Sequence, residues 1–231
     1  NSLTIKQKQF SSIPEIKQSS FINTLSGTKT EIAHSVKTLG VYFSGHMTWE
    51  VHIEYLVNKL PHTIGSLRRH FPVFPLTINI MLYNSLFSSV LNYSLLVWAT
   101  TTAENITKLL LLQKRAIRNI TKASYLEHTG PIFKQLKIGK VTSLYNYRLL
   151  RLYKQGISKK DNTLTLIAAL QDNINTYDTR NPEHWHVTAC RTNYGRQMLR
   201  FRLPTILNQY FPNSGQDFSL PPIKLIREMF L

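Results

Sequence analysis

Thr48-Trp49-Glu50-Val51-His52-Ile53-Glu54-Tyr55-Leu56-Val57-Asn58-Lys59-Leu60-Pro61-His62-Thr63-Ile64-Gly65-Ser66-Leu67-Arg68-Arg69-His70-Phe71 is the stretch that decides the fold. Trp49, Ile53, Leu56, Val57, Leu60, Ile64, Leu67 and Phe71 recur at steps of three and four, which puts them on one face of a helix. Thr48 reads as its N-cap. Pro61 inside the pattern predicts a kink or a break. Pro72 and Pro75 punctuate the chain, and a second helix is expected from Leu76 to Val90, with Ile80, Tyr83, Phe87 and Val90 inward. Asn92–Trp98 reads as an apolar connector or a continued helix.

A third helix is expected from Ala103 to Lys122 after the Thr100-Thr101-Thr102 start. Its apolar face holds Ile106, Leu109, Leu110, Gln113, Ile117 and Ile120. Gly130-Pro131 opens a short helix with Ile132, Phe133 and Leu136. Val141–Gln155 is amphipathic, with Gly156 as its expected stop. Residues 157–190 carry weaker signals and the breaker Arg180-Asn181-Pro182. Residues 191–211 are polar and aromatic, with interruptions expected at Pro204 and Pro212. Residues 220–231 read as a terminal helix entered through Pro221-Pro222.

Upstream of residue 48 the signals change. Residues 1–35 are polar, with short strands expected at Phe21–Asn23 and Glu31–Val36 around Ser26-Gly27. Val36–Phe43 reads as a better strand that ends at Ser44-Gly45. The expected class is therefore mainly α: a few short β-strands, a helical bundle and a helical C-terminal region, divided at 1–45, 46–125 and 126–231.

A hydrophobic share of 42% over 231 residues can fill a core. The net charge of +16 suits an anionic partner, nucleic acid before a membrane surface. The lone Cys190 excludes an intrachain disulfide and a cysteine-rich zinc site, and fits a reducing compartment without fixing one. The longest apolar runs are too short to span a bilayer, and no basic region leads into an apolar stretch at the N-terminus. A chain that starts at Asn1, with its first methionine at Met47, reads as a fragment.

Candidate chemistry is sparse. The aspartates are Asp161, Asp172, Asp178 and Asp217, with no adjacent pair and none before residue 160. Two-metal nucleotide chemistry needs carboxylates that converge in space, and the glutamates at 15, 31, 50, 54, 104 and 127 show no pairing. His184-Trp185-His186 lacks the further ligands a metal requires, and reads as surface or packing histidine. Cys190 has no partner histidine in a nucleophile motif, and no phosphate-cradling glycine loop is present. No catalytic residue and no metal ligand is assigned.

Charge is more informative. Between Glu127 and Asp161 there is no acid, while Lys134, Lys137, Lys140, Arg148, Arg151, Lys154, Lys159 and Lys160 are present and Tyr145, Tyr147 and Tyr153 interleave. Lysine and arginine neutralise phosphates, and tyrosine stacks on bases or packs a core. Arg148, Arg151 and Lys154 are spaced to share one solvent-facing side. They are the first candidate nucleic-acid contacts, set against the plainer reading of a solvated helix face. Lys114, Arg115 and Arg118 form a second cluster. Trp49, Tyr83 and Trp98 read as core.

Several short motifs follow one another in order: Leu39-Gly40-Val41 with Trp49 and His52-Ile53; Gly65-Ser66-Leu67; Leu82-Tyr83-Asn84-Ser85-Leu86; Tyr93 with Trp98; Gln113-Lys114-Arg115-Ala116-Ile117-Arg118; and Pro131-Ile132-Phe133 with Leu136 and Ile138. Arg180-Asn181-Pro182, Arg191 with Tyr194-Gly195, Pro204 with Asn208, and Phe218 with Lys224 follow. The series resembles the region after the catalytic palm in reverse transcriptases of non-LTR (LINE- or jockey-like) retrotransposons. Pro61 departs from that pattern. The resemblance implies a palm-strand remnant over 1–45, a thumb over 46–125 and a basic helical C-terminal region over 126–231. It implies a parent RNA-directed DNA polymerase using Mg2+ held upstream, an upstream palm domain as partner, and RNA or RNA–DNA hybrid as ligand. It also implies an intracellular ribonucleoprotein, nuclear or cytoplasmic, with no membrane role. The alternatives are a noncatalytic helical protein-interaction module and a nonfunctional transposon relic.

Overall fold

The computed structural model describes residues 20–23, 29–173, 184–211 and 220–230. Arg180-Asn181-Pro182, Pro212 and Phe218, like Asp178, Asp217 and the Ser26-Gly27 turn, lie outside them. The chain is mainly α with short antiparallel strands.

The periodic stretch forms α1, Glu50–His70, with Ile53, Leu56, Leu60, Ile64 and Leu67 buried along one face. The helix is not broken at Pro61. A proline there removes one helical hydrogen bond and costs about 3 kcal/mol. The five buried side chains, each contributing roughly 1.5–3 kcal/mol, outweigh that. Thr48 is not the cap. Trp49 takes that place in a left-handed conformation (φ 65°) with no side-chain cap, and the Thr48 carbonyl accepts from Thr101 Oγ1 at 3.1 Å.

Two hairpins precede α1. β1 (Ser20–Asn23) pairs with β2 (Lys29–Ile32), and β3 (Ser35–Thr38) with β4 (Val41–Ser44). The expected strand Val36–Phe43 is thus folded back on itself at Leu39-Gly40. The expected strand Glu31–Val36 is split at Ala33-His34. Leu39 (φ 48°) and Gly40 (φ 80°) both occupy the left-handed region, the mark of a tight I′ hairpin turn. The conformation is costly for leucine, and its side chain is 85% exposed, so no packing offsets the strain. Leu39→Gly is expected to raise stability by about 0.5–1 kcal/mol, read as a higher thermal midpoint; a lowered midpoint would contradict the strain argument.

The second helix is more varied than its sequence suggests. α2 (Leu76–Leu82) passes into a π-helical segment, Tyr83–Ser88, and then α3 (Ser89–Asn92). The widened turns align residues four apart, so Asn79, Tyr83, Phe87 and Leu91 are buried, while the expected Ile80 and Val90 are only half-buried. The helix ends at Asn92. Ser94 turns left-handed and α4 (Leu95–Trp98) follows. α5 (Ala103–Thr121) starts at Thr102, whose hydroxyl accepts from the Asn105 N–H.

After α6 (Thr129–Leu136), α7 runs from Val141 to Ser158, through the glycine expected to stop it. It ends where the Lys159 N–H returns to the carbonyls of Gln155 and Gly156. α8 (Thr163–Ala168), α9 (Asn193–Gln197), α10 (Leu199–Tyr210) and α11 (Ile223–Glu228) complete the described chain. α10 continues through Pro204, itself buried beside Leu203, Ile206 and Leu207, so the interruption expected there does not occur.

Buried side chains gather in two clusters. The first spans α1 to α6 and reaches Val41 on β4 and Val141 at the start of α7. The second joins the rest of α7 to α10 and α11 through Tyr145, Leu149, Leu150, Leu203, Ile206 and Ile226. α7 therefore belongs to both. Among the described residues no helix is long and apolar enough to cross a membrane.

Candidate nucleic-acid interface

Where the two clusters meet, an open groove of about 420 Å³ is walled by four pieces of chain. The π segment and α3 supply Asn84, Ser88 and Asn92; the α6–α7 turn supplies Lys137, Ile138 and Gly139; α7 supplies Leu144, Tyr147 and Arg151; α11 and its end supply Arg227 and Phe230. Lys137, Arg151 and Arg227 are cations on this groove, and none of the lining residues is acidic.

Local structure explains the placement. The π segment that buries Tyr83 and Phe87 presents Asn84, Ser88 and Asn92 together on the adjoining side. Asn92 Nδ2 donates to Ser88 Oγ at 2.8 Å. Lys137 caps α6 in the left-handed conformation (φ 53°), so the chain reverses there on its way into α7.

The walls are tied to one another. Gln113, 1% exposed on α5, donates from Nε2 to Tyr83 Oη (3.1 Å) and to the Gly139 carbonyl (2.9 Å), and accepts from the Val141 N–H (2.9 Å). One side chain thus fixes the π segment, the α6–α7 turn and the first turn of α7. Arg148 donates to the Asn92 carbonyl at 3.4 Å, and Ser143 Oγ to the Phe230 carbonyl at 3.3 Å. Burial, and then the neighbouring Arg151 charge, push the Arg148 guanidinium below its ordinary value. Two like charges side by side without a carboxylate make a surface that favours an anion.

The expected contacts divide. Arg151 lines the groove, and Arg148 braces its wall. Lys154 does not share a free solvent face with them: its ammonium donates to the carbonyls of Leu220 and, at 2.6 Å, Pro221, anchoring the segment that leads into α11. The helical spacing on α7 holds, but the C-terminal segment covers that side. Lys114 (half-buried) and Arg115 (exposed) lie on α5 and do not line the groove. Arg118 donates from Nε and Nη2 to the Glu127 carbonyl (3.1 and 2.9 Å), with its guanidinium 5.8 Å from the Tyr125 ring centre, so it fastens the α5–α6 loop. Sequence reasoning misses Arg227; no local pattern distinguishes it. Lys137 is visible there only as one of a basic run.

Lys154→Met is accordingly expected to lower stability by about 1–2 kcal/mol through loss of charge-assisted bonds, while duplex affinity stays within about twofold. Chemical denaturation and fluorescence anisotropy read the two effects; a large affinity loss at unchanged stability would return Lys154 to the interface.

His184 Nε2 lies 3.1 Å from Asp172 Oδ1, and Asn208 holds both the N–H and the carbonyl of Trp185, so this tripeptide is tied to Asp172 and to α10. Among the described residues no group of three or more His, Cys, Asp or Glu side chains could hold a metal ion.

Comparison with known proteins adds no relative. No family model, curated protein or solved structure matches the chain.

Proposed function

We propose that this chain is a noncatalytic nucleic-acid-gripping region, the thumb and C-terminal part of a non-LTR retrotransposon reverse transcriptase, and that it holds RNA or RNA–DNA hybrid by its phosphates. The observation that carries the proposal is the groove in which Lys137, Arg151 and Arg227 stand together with no acid in its lining. Arginine offers a planar fork to phosphate oxygens, and lysine adds a point charge. Asn84, Ser88 and Asn92 supply neutral hydrogen-bonding groups suited to sugar and phosphate oxygens. Such contacts position a duplex without reading its sequence. In this reading the upstream palm would supply the carboxylates and Mg2+ for RNA-directed DNA synthesis.

Anisotropy with a labelled RNA–DNA hybrid tests the reading. Binding at low salt that is insensitive to base sequence is expected, with no primer extension in the presence of Mg2+ and nucleotides. Absence of binding at low salt would overturn the nucleic-acid role. Extension by the chain would overturn its noncatalytic character.

A second reading has its own observation. Val73, Phe74, Leu76, Ile78, Met81 and Leu86 are all exposed within a short stretch around α2, with Val73 at 77% and Met81 at 64%. Apolar surface of this kind seats protein. It suits either the upstream palm or the partner of a helical interaction module. The module reading gains if hybrid binding fails.

A further inference from the structure

The groove that carries the proposed grip is apolar as well as basic. Ile80, Leu136, Leu144 and Tyr147 line it, and each is half-buried, so part of each residue remains open to solvent. Ile80, Leu136 and Leu144 pack on the first cluster and Tyr147 on the second. α7 sets the two characters side by side. Leu144, Tyr147 and Arg151 follow one another at steps of three and four, which puts an apolar side chain, a ring and a cation in one row along the helix. The Tyr147 ring meets that of Phe230 at 6.2 Å, tilted by 53°.

A grip on phosphates alone would not use these groups. A phosphodiester backbone is charged and hydrated and gains nothing from leucine or isoleucine. The flat face of a base does gain from apolar and aromatic contact. Size points the same way. About 420 Å³ is room for a ligand of nucleotide dimensions and is too small to enclose a duplex. Lys137, Arg151 and Arg227 are all exposed beside the apolar lining. Three cations suit the successive phosphates of a strand better than the single phosphate of a free nucleotide.

We propose that the groove takes an unpaired nucleotide of a strand that extends from the hybrid, with its base against Tyr147 and the neighbouring phosphates on Lys137, Arg151 and Arg227. This rests on the nucleic-acid reading of the groove and names the form of its ligand: a single-stranded extension rather than a blunt duplex. Stacking on an aromatic ring beside a basic track is how strands are held without regard to sequence.

Fluorescence anisotropy on the full chain tests it with three labelled ligands: a blunt RNA–DNA hybrid, the same hybrid with a short unpaired extension on either strand, and the same extension made abasic. The extension is expected to tighten binding about tenfold over the blunt hybrid, and the abasic extension is expected to give little of that gain. Tyr147→Leu is expected to remove most of the gain and Tyr147→Phe to keep it. The abasic comparison uses the unaltered chain, so it decides the matter even where Tyr147→Leu disturbs the packing against Phe230. Equal affinity for blunt and extended hybrids overturns the proposal while leaving the phosphate grip in place. A full gain from the abasic extension also overturns it, because the added charge then accounts for the effect. Competition by AMP or by polyglutamate as strong as that of the extended strand overturns it as well, marking a seat for free nucleotides or for anions in general. Absence of binding to all three ligands overturns this proposal and the nucleic-acid reading together.

Discussion

Gln113→Leu is expected to remove about 3–5 kcal/mol of folding stability. Leucine fits the volume but leaves the Gly139 carbonyl, the Val141 N–H and the Tyr83 hydroxyl without the partner each has at 2.9–3.1 Å. Each stranded buried group costs about 1–3 kcal/mol, and the Val141 N–H is one of the donors that a helix start cannot satisfy internally. Native domains have about 5–15 kcal/mol in total, so the variant is expected to lie near its unfolding threshold. A lower urea midpoint at unchanged slope would show it; a loss under about 1 kcal/mol would mean that water replaces the strut.

The same network sets an alkaline limit. Burial pushes the Tyr83 hydroxyl up from 10.0 to about 12, against a smaller opposing effect of the Gln113 hydrogen bond. The folded chain then holds this proton more tightly than the unfolded chain. Its contribution is fully present below pH 10 and is lost as pH rises from 10 toward about 12. At about 1.4 kcal/mol per pH unit of difference, this limb amounts to roughly 2–3 kcal/mol. Tyr83→Phe is expected to flatten it.

The second large effect concerns binding. Neutralising Lys137, Arg151 and Arg227 together with glutamine is expected to weaken hybrid affinity by about a hundredfold at low salt, since each cation paired with a phosphate contributes about 1 kcal/mol or more. None of the three is buried, so thermal stability is expected to stay unchanged. Lys114→Gln with Arg115→Gln, outside the groove, is expected to cost less than about fivefold, which is the nonspecific share of the field. The reverse ranking would move the interface to α5.

How much of this could be read in the chain depends on the range over which each feature is decided. The stripe from Trp49 to Phe71 is local and strongly periodic, and α1 follows it even across Pro61. At Thr48 and Gly156 local propensity is overridden by other interactions. Thr48 gives its carbonyl to Thr101, and the end of α7 is held past its glycine. Gln113 stands on an apolar face in the sequence pattern, a polar residue at a core position, yet nothing local says that its amide joins Tyr83 to Gly139. Helical spacing sets the angular order of Arg148, Arg151 and Lys154. It could not show that residues 220 and 221 would lie over Lys154, or that Arg227 would line the same groove as Arg151. The groove is a tertiary product of α7 meeting the π segment and α11.

The most direct test is the salt dependence of hybrid binding, plotted as the logarithm of the association constant against that of salt, for the wild-type chain and the Lys137→Gln, Arg151→Gln, Arg227→Gln variant. Removing three phosphate-pairing cations from the groove predicts a slope shallower by about 2–3 in the variant. Equal slopes would contradict the groove as the place where the chain holds nucleic acid.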